Sequence, residues 1–359
     1  MRLGFLALHQ PDSSPSQRYR VEAFLPALQQ AGIECDYAWV LDREDLRIFY
    51  GSAPAYRKGL VAARALARRV ASLTRLRRWD VVLVQREAFF LLGAWSEWLA
   101  AKAAPLVFDF DDAIWMHAVS PGNRRFAFLK NVDKVAELVR MSHTVIAGNR
   151  YLADWARQYR PQVELVPTCV DTRVFRPAPA GRSEQAPVTI GWSGSPSTVA
   201  HLRTIVPALT ALKSRYGERI SLRAMGDPSL QVPELGLRGE AWSPSAELAF
   251  LQSLDIGLMP LPDDEWTRGK CGLKGLVSMA SGAATVMSPV GVNTEIVTDH
   301  VDGLLASTQA EWERALSELV EEGALRRRLA QAGRETVEAR YSVERWAPKL
   351  IELVTAAAG

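Results

Sequence analysis

GKCGLKGLVSMASGAATVMSPVGVNTEIV, from Gly269 to Val297, opens with glycines and two lysines. It then runs through an apolar patch to a Met-Ala-Ser-Gly stop and becomes a short apolar run. A glycine turn, a short helix and a strand form the unit by which a nucleotide-binding half-domain offers backbone N–H groups to phosphate. Lys270 and Lys274 stand four residues apart, so on a helical first turn they share a face. The reading is a diphosphate pocket built from Gly269, Lys270, Cys271, Gly272, Leu273 and Lys274.

A chain of 359 residues is too long for one ordinary core, and two domains are expected. Apolar content of 48% and charge of 23% are those of a soluble globular protein. Cys35, Cys169 and Cys271 have no metal-ligand spacing and fit a reducing cytosol. No apolar run is long enough for a transmembrane helix, and MRLGFLALHQPD is broken too soon by Pro11 to be a signal peptide. The expected location is the cytoplasm.

Net charge is +3, unevenly placed. Arg57, Lys58, Arg64, Arg68, Arg69, Arg75, Arg77 and Arg78 fall in one segment with no acidic residue among them. Leu60, Val61, Leu66, Val70, Leu73 and Leu76 interleave with them at helical spacing. Such a cationic amphipathic helix suits an anionic membrane surface, or equally a solvated face over a core. Nucleic acid is not expected as a partner, since no recognition module accompanies the charge.

RLGFLAL, IECDYAWV, DVVLVQ, PLVFDF, HTVIAG and VELVP read as strands that alternate with helices. The helices are placed near Val21–Ala31, Arg57–Arg78, Phe89–Ala103, Asn131–Met141 and along NRYLADWARQY. RPAPAGRSEQAP, proline-rich and without period, is the linker. VTIGWSG, RISLRAMG and DIGLMPL resume the strands, with a helix over TVAHLRTIVPALTALKSRYG and charged helices in the tail. Strands separated by helices of this length give parallel sheets. The fold class is α/β: two Rossmann-like, doubly wound parallel-sheet domains facing a central cleft. Their bounds are 1–176 and 188–340, joined by 177–187.

Four loops at strand carboxyl ends can carry chemistry. The first holds Ser14, Ser16, Gln17, Arg18 and Arg20, where an arginine near a helix start can grip phosphate, or simply be solvated. The second is Asp109-Phe110-Asp111-Asp112. Three carboxylates so close need a cation, proton or donor, and they fit a magnesium site, a general base or a helix cap. His117 follows, alone. The third is Gly191-Trp192-Ser193-Gly194-Ser195, a glycine turn rich in hydroxyl donors. The Gly269–Lys274 segment is the fourth.

The chain resembles the retaining glycosyltransferases of family 4 (group 1 type), which have the GT-B fold. The resemblance rests on HTVIAGNRYLADWA, VELVPTCVDTRVFRP, DIGLMPL, SMASGAATVMSPVGVNTEIV and DHVDGLLA, in that order and at family spacing. SQRYR and VFDFDDAIW look like a bacterial subgroup. The resemblance implies sugar transfer from a nucleoside-diphosphate sugar with retained anomeric configuration and no metal or cofactor. The acceptor would be a lipid-linked glycan, polysaccharide precursor or small molecule. The nucleotide would sit on the C-terminal domain, and residues 341–359 would return to the N-terminal one. Lys270, Lys274 and N–H groups around Gly269–Leu273 and Ser193–Ser195 would hold the diphosphate, with Arg18 reaching it from the first loop. Asp111 and Asp112 would orient the donor sugar or the acceptor hydroxyl.

Two features depart from the family. Its two glutamates, eight positions apart, fall on Gly269 and Val277, and its basic pair on the first loop of the C-terminal domain is replaced by WSGSPST. Valine cannot accept a hydrogen bond from a ribose hydroxyl, and Glu295 is the nearby carboxylate left to do so. The same losses motivate an alternative, a non-catalytic sugar-nucleotide-binding or partner subunit. A magnesium phosphatase on Asp109-x-Asp111 is a third reading.

Overall fold

A parallel strand pair needs a connection that crosses the sheet face, which is why the short apolar runs are separated by helices. In the computed structural model, which describes residues 1–116, 133–179 and 186–359, the chain divides into two compact units. One is Met1–Thr168 with Trp346–Gly359, the other Cys169–Arg345. The first unit thus ends before the expected boundary at 176. Val170 bridges Ser342, and Arg334 donates to the carbonyls of Thr172 and Phe175, so this stretch is fastened to the second unit. Of the expected linker, residues 180–185 lie outside the described residues. The last helix runs Val343–Ala358.

The first sheet consists of β1 (Arg2–Leu6), β2 (Glu34–Ala38), β3 (Val81–Gln85), β4 (Leu106–Phe110), β5 (Thr144–Ala147) and β6 (Glu164–Leu165). They lie in the order β2-β1-β3-β4-β5-β6, all parallel. β3 and β4 are buried at every position, as strands covered on both faces must be, and their register sets Gln85 beside Asp109. The first loop holds a helix of its own, Pro15–Arg20, that the run of serines concealed. A second helix, Arg43–Tyr50, also departs from the expected pattern and starts on an Asp42–Asp45 capping box.

The basic segment forms the helix Ala55–Leu73. Val61 and Ala65 pack with Leu8, Val40, Leu41 and Phe89. Its arginines are not spread over an outer face as the sequence suggests. Arg69 is fully buried and donates to the carbonyls of Ala38 (3.1 Å), Ala7 (2.7 Å) and Ala88 (2.6 Å). Arg64 and Arg68 pair with the buried Asp45, Arg68 also with Asp42, and Arg75 with Asp36. Carboxylates of neighbouring elements therefore absorb much of the segment's charge.

The second sheet contains β7 (Val188–Ser193), β8 (Ile220–Met225), β9 (Gln231–Val232), β10 (Leu237–Glu240), β11 (Ile256–Met259), β12 (Ala284–Met287) and β13 (Leu304–Leu305). The order is β13-β12-β11-β7-β8-β10-β9, parallel except for the β9–β10 edge. Its core gathers Trp192, Leu209, Leu212, Leu258, Val286 and Trp312. The expected helix after β7 is two, Val199–Arg203 and Val206–Tyr216, because Pro207 cannot donate within a continuous helix. Among the described residues no helix is long and apolar enough to cross a membrane.

Candidate functional site

In the second unit the helix Leu273–Ala280 starts on Gly272, whose φ of +72° is left-handed. A Cβ there would lie 2.1 Å from Ile296 Cδ1, so the turn requires glycine twice over. The turn also breaks the helical spacing of the two lysines. Lys270 precedes the helix with its Nζ 4.5 Å from the Trp266 ring, whereas Lys274 Nζ lies 5.8 Å from the ring of Trp192. The shared face expected from their spacing is not formed.

The backbone donors are also redistributed. The N–H groups of Gly269 and Lys270 close the turn after the helix Glu265–Arg268, bonding Trp266 O and Thr267 O. Gly275 N–H points at Met259 Sδ (3.3 Å). The cradle therefore narrows to the positive helix end at Gly272–Lys274. Cys271 is buried, with its thiol 3.9 Å from Gly269 O, and offers no side chain to a ligand.

β7 brings its carboxyl end to the same place, since Lys274 rests against Trp192. Gly191 is a packing glycine: its Cβ would meet Leu254 Cδ2 at 2.3 Å. Gly194 donates its N–H to Met225 O (2.9 Å), and its carbonyl is approached so closely by Gly226 that a Cβ on the latter would lie 1.9 Å away. The Gly194 N–H is thereby engaged by the backbone instead of being presented to phosphate. Ser193 ends β7, half-buried, and the exposed Ser195 bonds Ser197 Oγ (2.9 Å) and accepts from Thr198.

Glu295 is exposed on the short helix Asn293–Ile296, whose Ile296 packs on Gly272. Its carbonyl accepts from Arg340 (2.9 Å). Asn293, two residues earlier, is fully buried; its Nδ2 donates to Ser288 O (2.9 Å), while its Oδ1 has no hydrogen-bond donor among the described residues. Val277, at the position of the family's second glutamate, is buried in the helix.

In the first unit the ends of β1, β3 and β4 converge. Arg20, not Arg18, reaches the sheet: its Nε lies 3.0 Å from Asp109 Oδ2, its Nη2 bonds Asp109 Oδ1, and its Nη1 bonds Val166 O (2.6 Å). Arg18 lies 3.9 Å from Asp12 of the same loop. Gln17 is buried and clamps the backbone of His9 through two bonds of 2.9 Å. Burial, reinforced by the charge of Arg86, pulls the His9 imidazole down to about 4 against a weaker opposing bond from Gln17, which leaves it neutral at pH 7.

Arg86 is the residue that composition could not single out. It follows β3 with a φ of +62°, its N–H donating to Asp109 O (2.8 Å). Its Nε lies 2.7 Å from Asp111 Oδ1 and its Nη2 3.3 Å from Asp112 Oδ2, with Gln85 Nε2 3.1 Å from the same Asp111 oxygen. Burial pushes the Asp111 carboxyl up, but Arg86, with help from Arg20 and the Ser16 hydroxyl, holds it below the usual carboxylate range. Asp112 Oδ1 accepts from Ala113 N–H (3.1 Å).

Each aspartate of the triplet thus faces a guanidinium instead of a shared cavity. Among the described residues no three His, Cys, Asp or Glu side chains gather where they could hold a metal. The donor set does not fit the magnesium phosphatase reading. Beside the pair, Trp115 stacks on Trp155 (4.1 Å, 4°) and lies near Tyr151 (6.2 Å, 27°), forming a half-buried aromatic wall. His117 lies outside the described residues.

A family profile described as glycosyl transferase-like matches residues 209–352. No curated protein matches the chain by sequence. Among solved structures the chain is similar to sucrose-phosphate synthase from Thermosynechococcus elongatus, with 14% identity, a TM-score of 0.69, and 99% of this chain and 98% of the other covered. It is similar to Anabaena HepE in complex with UDP-glucose at 12% identity and TM-score 0.69, covering 99% and 100%. An α,α-trehalose 6-phosphate synthase from Burkholderia multivorans gives 13%, 0.62, 99% and 97%. Such low identity over nearly whole chains is a likeness of fold, and the fold is GT-B, two parallel-sheet α/β domains.

Proposed function

We propose that the protein is a glycosyltransferase that takes a sugar from a nucleoside-diphosphate donor. The observation that carries this reading is the Gly272 helix start, with Lys274 laid over Trp192 at the end of β7. It lies within the segment matched by the glycosyl transferase-like profile. The UDP-glucose of the HepE complex is the kind of donor such a site suits. Lys274, Lys270 and the N–H groups of Gly272–Lys274 stabilise the negative charge that grows on the departing diphosphate, which is the electrostatic role a metal would otherwise fill. The reaction is read as retaining and metal-independent, as in the family-4 enzymes that the sequence resembles.

Asp111, ionised and oriented by Gln85 and Arg86, accepts a hydrogen bond from a donor-sugar or acceptor hydroxyl, and Asp112 is held in place by the same arginine. The Trp115–Trp155 wall offers an apolar ring face for a sugar. The acceptor is read as a lipid-linked glycan or polysaccharide precursor met at the inner face of the cell membrane, with the basic helix Ala55–Leu73 in support. Arg18 is read as a further donor contact. Hydrolysis or transfer measured over a panel of UDP-, GDP- and other activated sugars, with and without EDTA, tests the whole reading. No binding and no turnover with any donor would sink it.

A further inference from the structure

The helix Ala55–Leu73 carries two apolar faces, of which the fold uses one. Val61 and Ala65 go into the core. Tyr56, Leu60, Leu66 and Val70 stand outward, 65%, 61%, 38% and 51% exposed. At helical rise they span about 21 Å of one helix, a continuous stripe and not the scattered surface leucines common on any protein. Ala63 and Ala67 fill the stripe between them, also exposed. A solvated surface helix would place polar residues there.

The neighbouring helix Trp95–Ala103 extends the stripe. The β2-to-β3 and β3-to-β4 crossovers advance in the same direction along the sheet, and a right-handed crossover then puts both helices on the same face. This second helix exposes Trp98 (52%) and Leu99, and Lys102 Nζ lies 5.6 Å from the Trp98 ring. A tryptophan with a lysine at its rim is a side-chain pair suited to the water–lipid boundary.

Charge chooses the occupant. Arg68, Arg69 and Arg75 are engaged inside the unit, but Arg57, Arg77 and Arg78 are exposed, and Arg64 is half-exposed while paired with Asp45. No acidic residue lies anywhere from Arg57 to Arg78. An apolar stripe rimmed by guanidinium groups, with Asp42 and Asp45 already engaged by Arg64 and Arg68, is complementary to an anionic bilayer surface, whereas a second copy of this face would oppose like charges. We infer that the outer face of the helix Ala55–Leu73, with Trp98 and Leu99, docks shallowly on an anionic membrane. Insertion of the apolar stripe, not attraction by all eight bases, provides the contact.

This inference does not depend on sugar transfer and is tested without substrate. The full-length chain is sedimented with phosphatidylcholine vesicles with and without phosphatidylglycerol. The chain should bind the anionic vesicles and detach as salt is raised. Leu60→Glu with Val70→Glu should lower the partition coefficient at least about tenfold, and Arg77→Gln with Arg78→Gln by about tenfold. Circular dichroism should remain that of the parent, since all four positions are exposed. Failure to bind anionic vesicles, or binding undiminished by the glutamate pair, would overturn the inference. So would a concentration-dependent dimer that the glutamate pair dissolves, because the face would then belong to a second copy.

Discussion

Arg20 grips Asp109 through both carboxylate oxygens, with each side chain at least nineteen-twentieths buried. The pair ties the helix Pro15–Arg20 to β4, and through Val166 O the same guanidinium reaches the end of β6. Arg20→Ala leaves a buried carboxylate without its partner, a loss of about 3–5 kcal/mol. Urea unfolding of the full chain should show the stability of the first unit lowered by that amount. A shift under about 1 kcal/mol would mean that water replaces the guanidinium.

His9 makes stability depend on pH in a definite direction. Its pKa is lowered to about 4 in the fold from 6.5, so between these values the unfolded chain binds the proton more readily. The contribution is whole above pH 6.5 and declines as pH falls toward 4, by roughly 2–3 kcal/mol. Chemical denaturation from pH 7 to 4 should show this slope, and His9→Gln should flatten it. An equal slope in the variant would assign the effect to other groups.

Asp111 follows the same rule in a more acidic window. Its pKa is lowered, so the contribution of Arg86 is present above the ordinary carboxylate value of 3.8 and disappears as pH falls through the lowered one. Arg86→Ala should therefore melt lower than the parent at pH 7, with the gap closing once the pH is taken below 3.8. Thermal scans at the two pH values decide; a constant gap would assign the loss to packing of the arginine stem and not to its charge.

The sheets were legible because β3, β4, β11 and β12 are buried throughout and read as plain apolar runs. Asp111 and Asp112 were legible as a carboxylate cluster awaiting a partner. Arg86 was not, because it comes from another strand end, and only the β3–β4 register brings it there. The basic helix misled through composition: sequence shows eight like charges, but Asp36, Asp42 and Asp45 that neutralise some of them sit earlier in the chain. The glycines misled in another way. Gly191 and Gly194 serve close packing at Leu254 and Trp192, a need that looks the same in sequence as a need to approach phosphate.

Gly272 combines a left-handed φ with a side-chain-sized gap already filled by Ile296. Gly272→Ala should cost more than the roughly 1 kcal/mol of an αL alanine alone, since the methyl must also displace that isoleucine. The melting temperature reads the total. Nucleoside-diphosphate affinity, followed by thermal shift, should fall further than stability explains if the turn aims the helix N–H groups. Equal affinity in the folded variant would detach the turn from the ligand.

The two lysines separate the helix-start reading from the simple glycine–lysine cradle. Lys274 belongs to the helix and rests on Trp192, whereas Lys270 lies before the Gly272 turn on Trp266. Charge that develops on a leaving diphosphate at the helix N-terminus is closest to Lys274, so Lys274→Ala should lower kcat/KM by about 2–4 kcal/mol, mostly in kcat. Lys270→Ala should act mainly through KM, as a contact made equally in ground and transition states. Steady-state kinetics with the best donor from the activated-sugar panel gives both numbers. Equal losses in kcat would restore the two lysines to one face, and an unchanged Lys274→Ala would move charge stabilisation away from this helix.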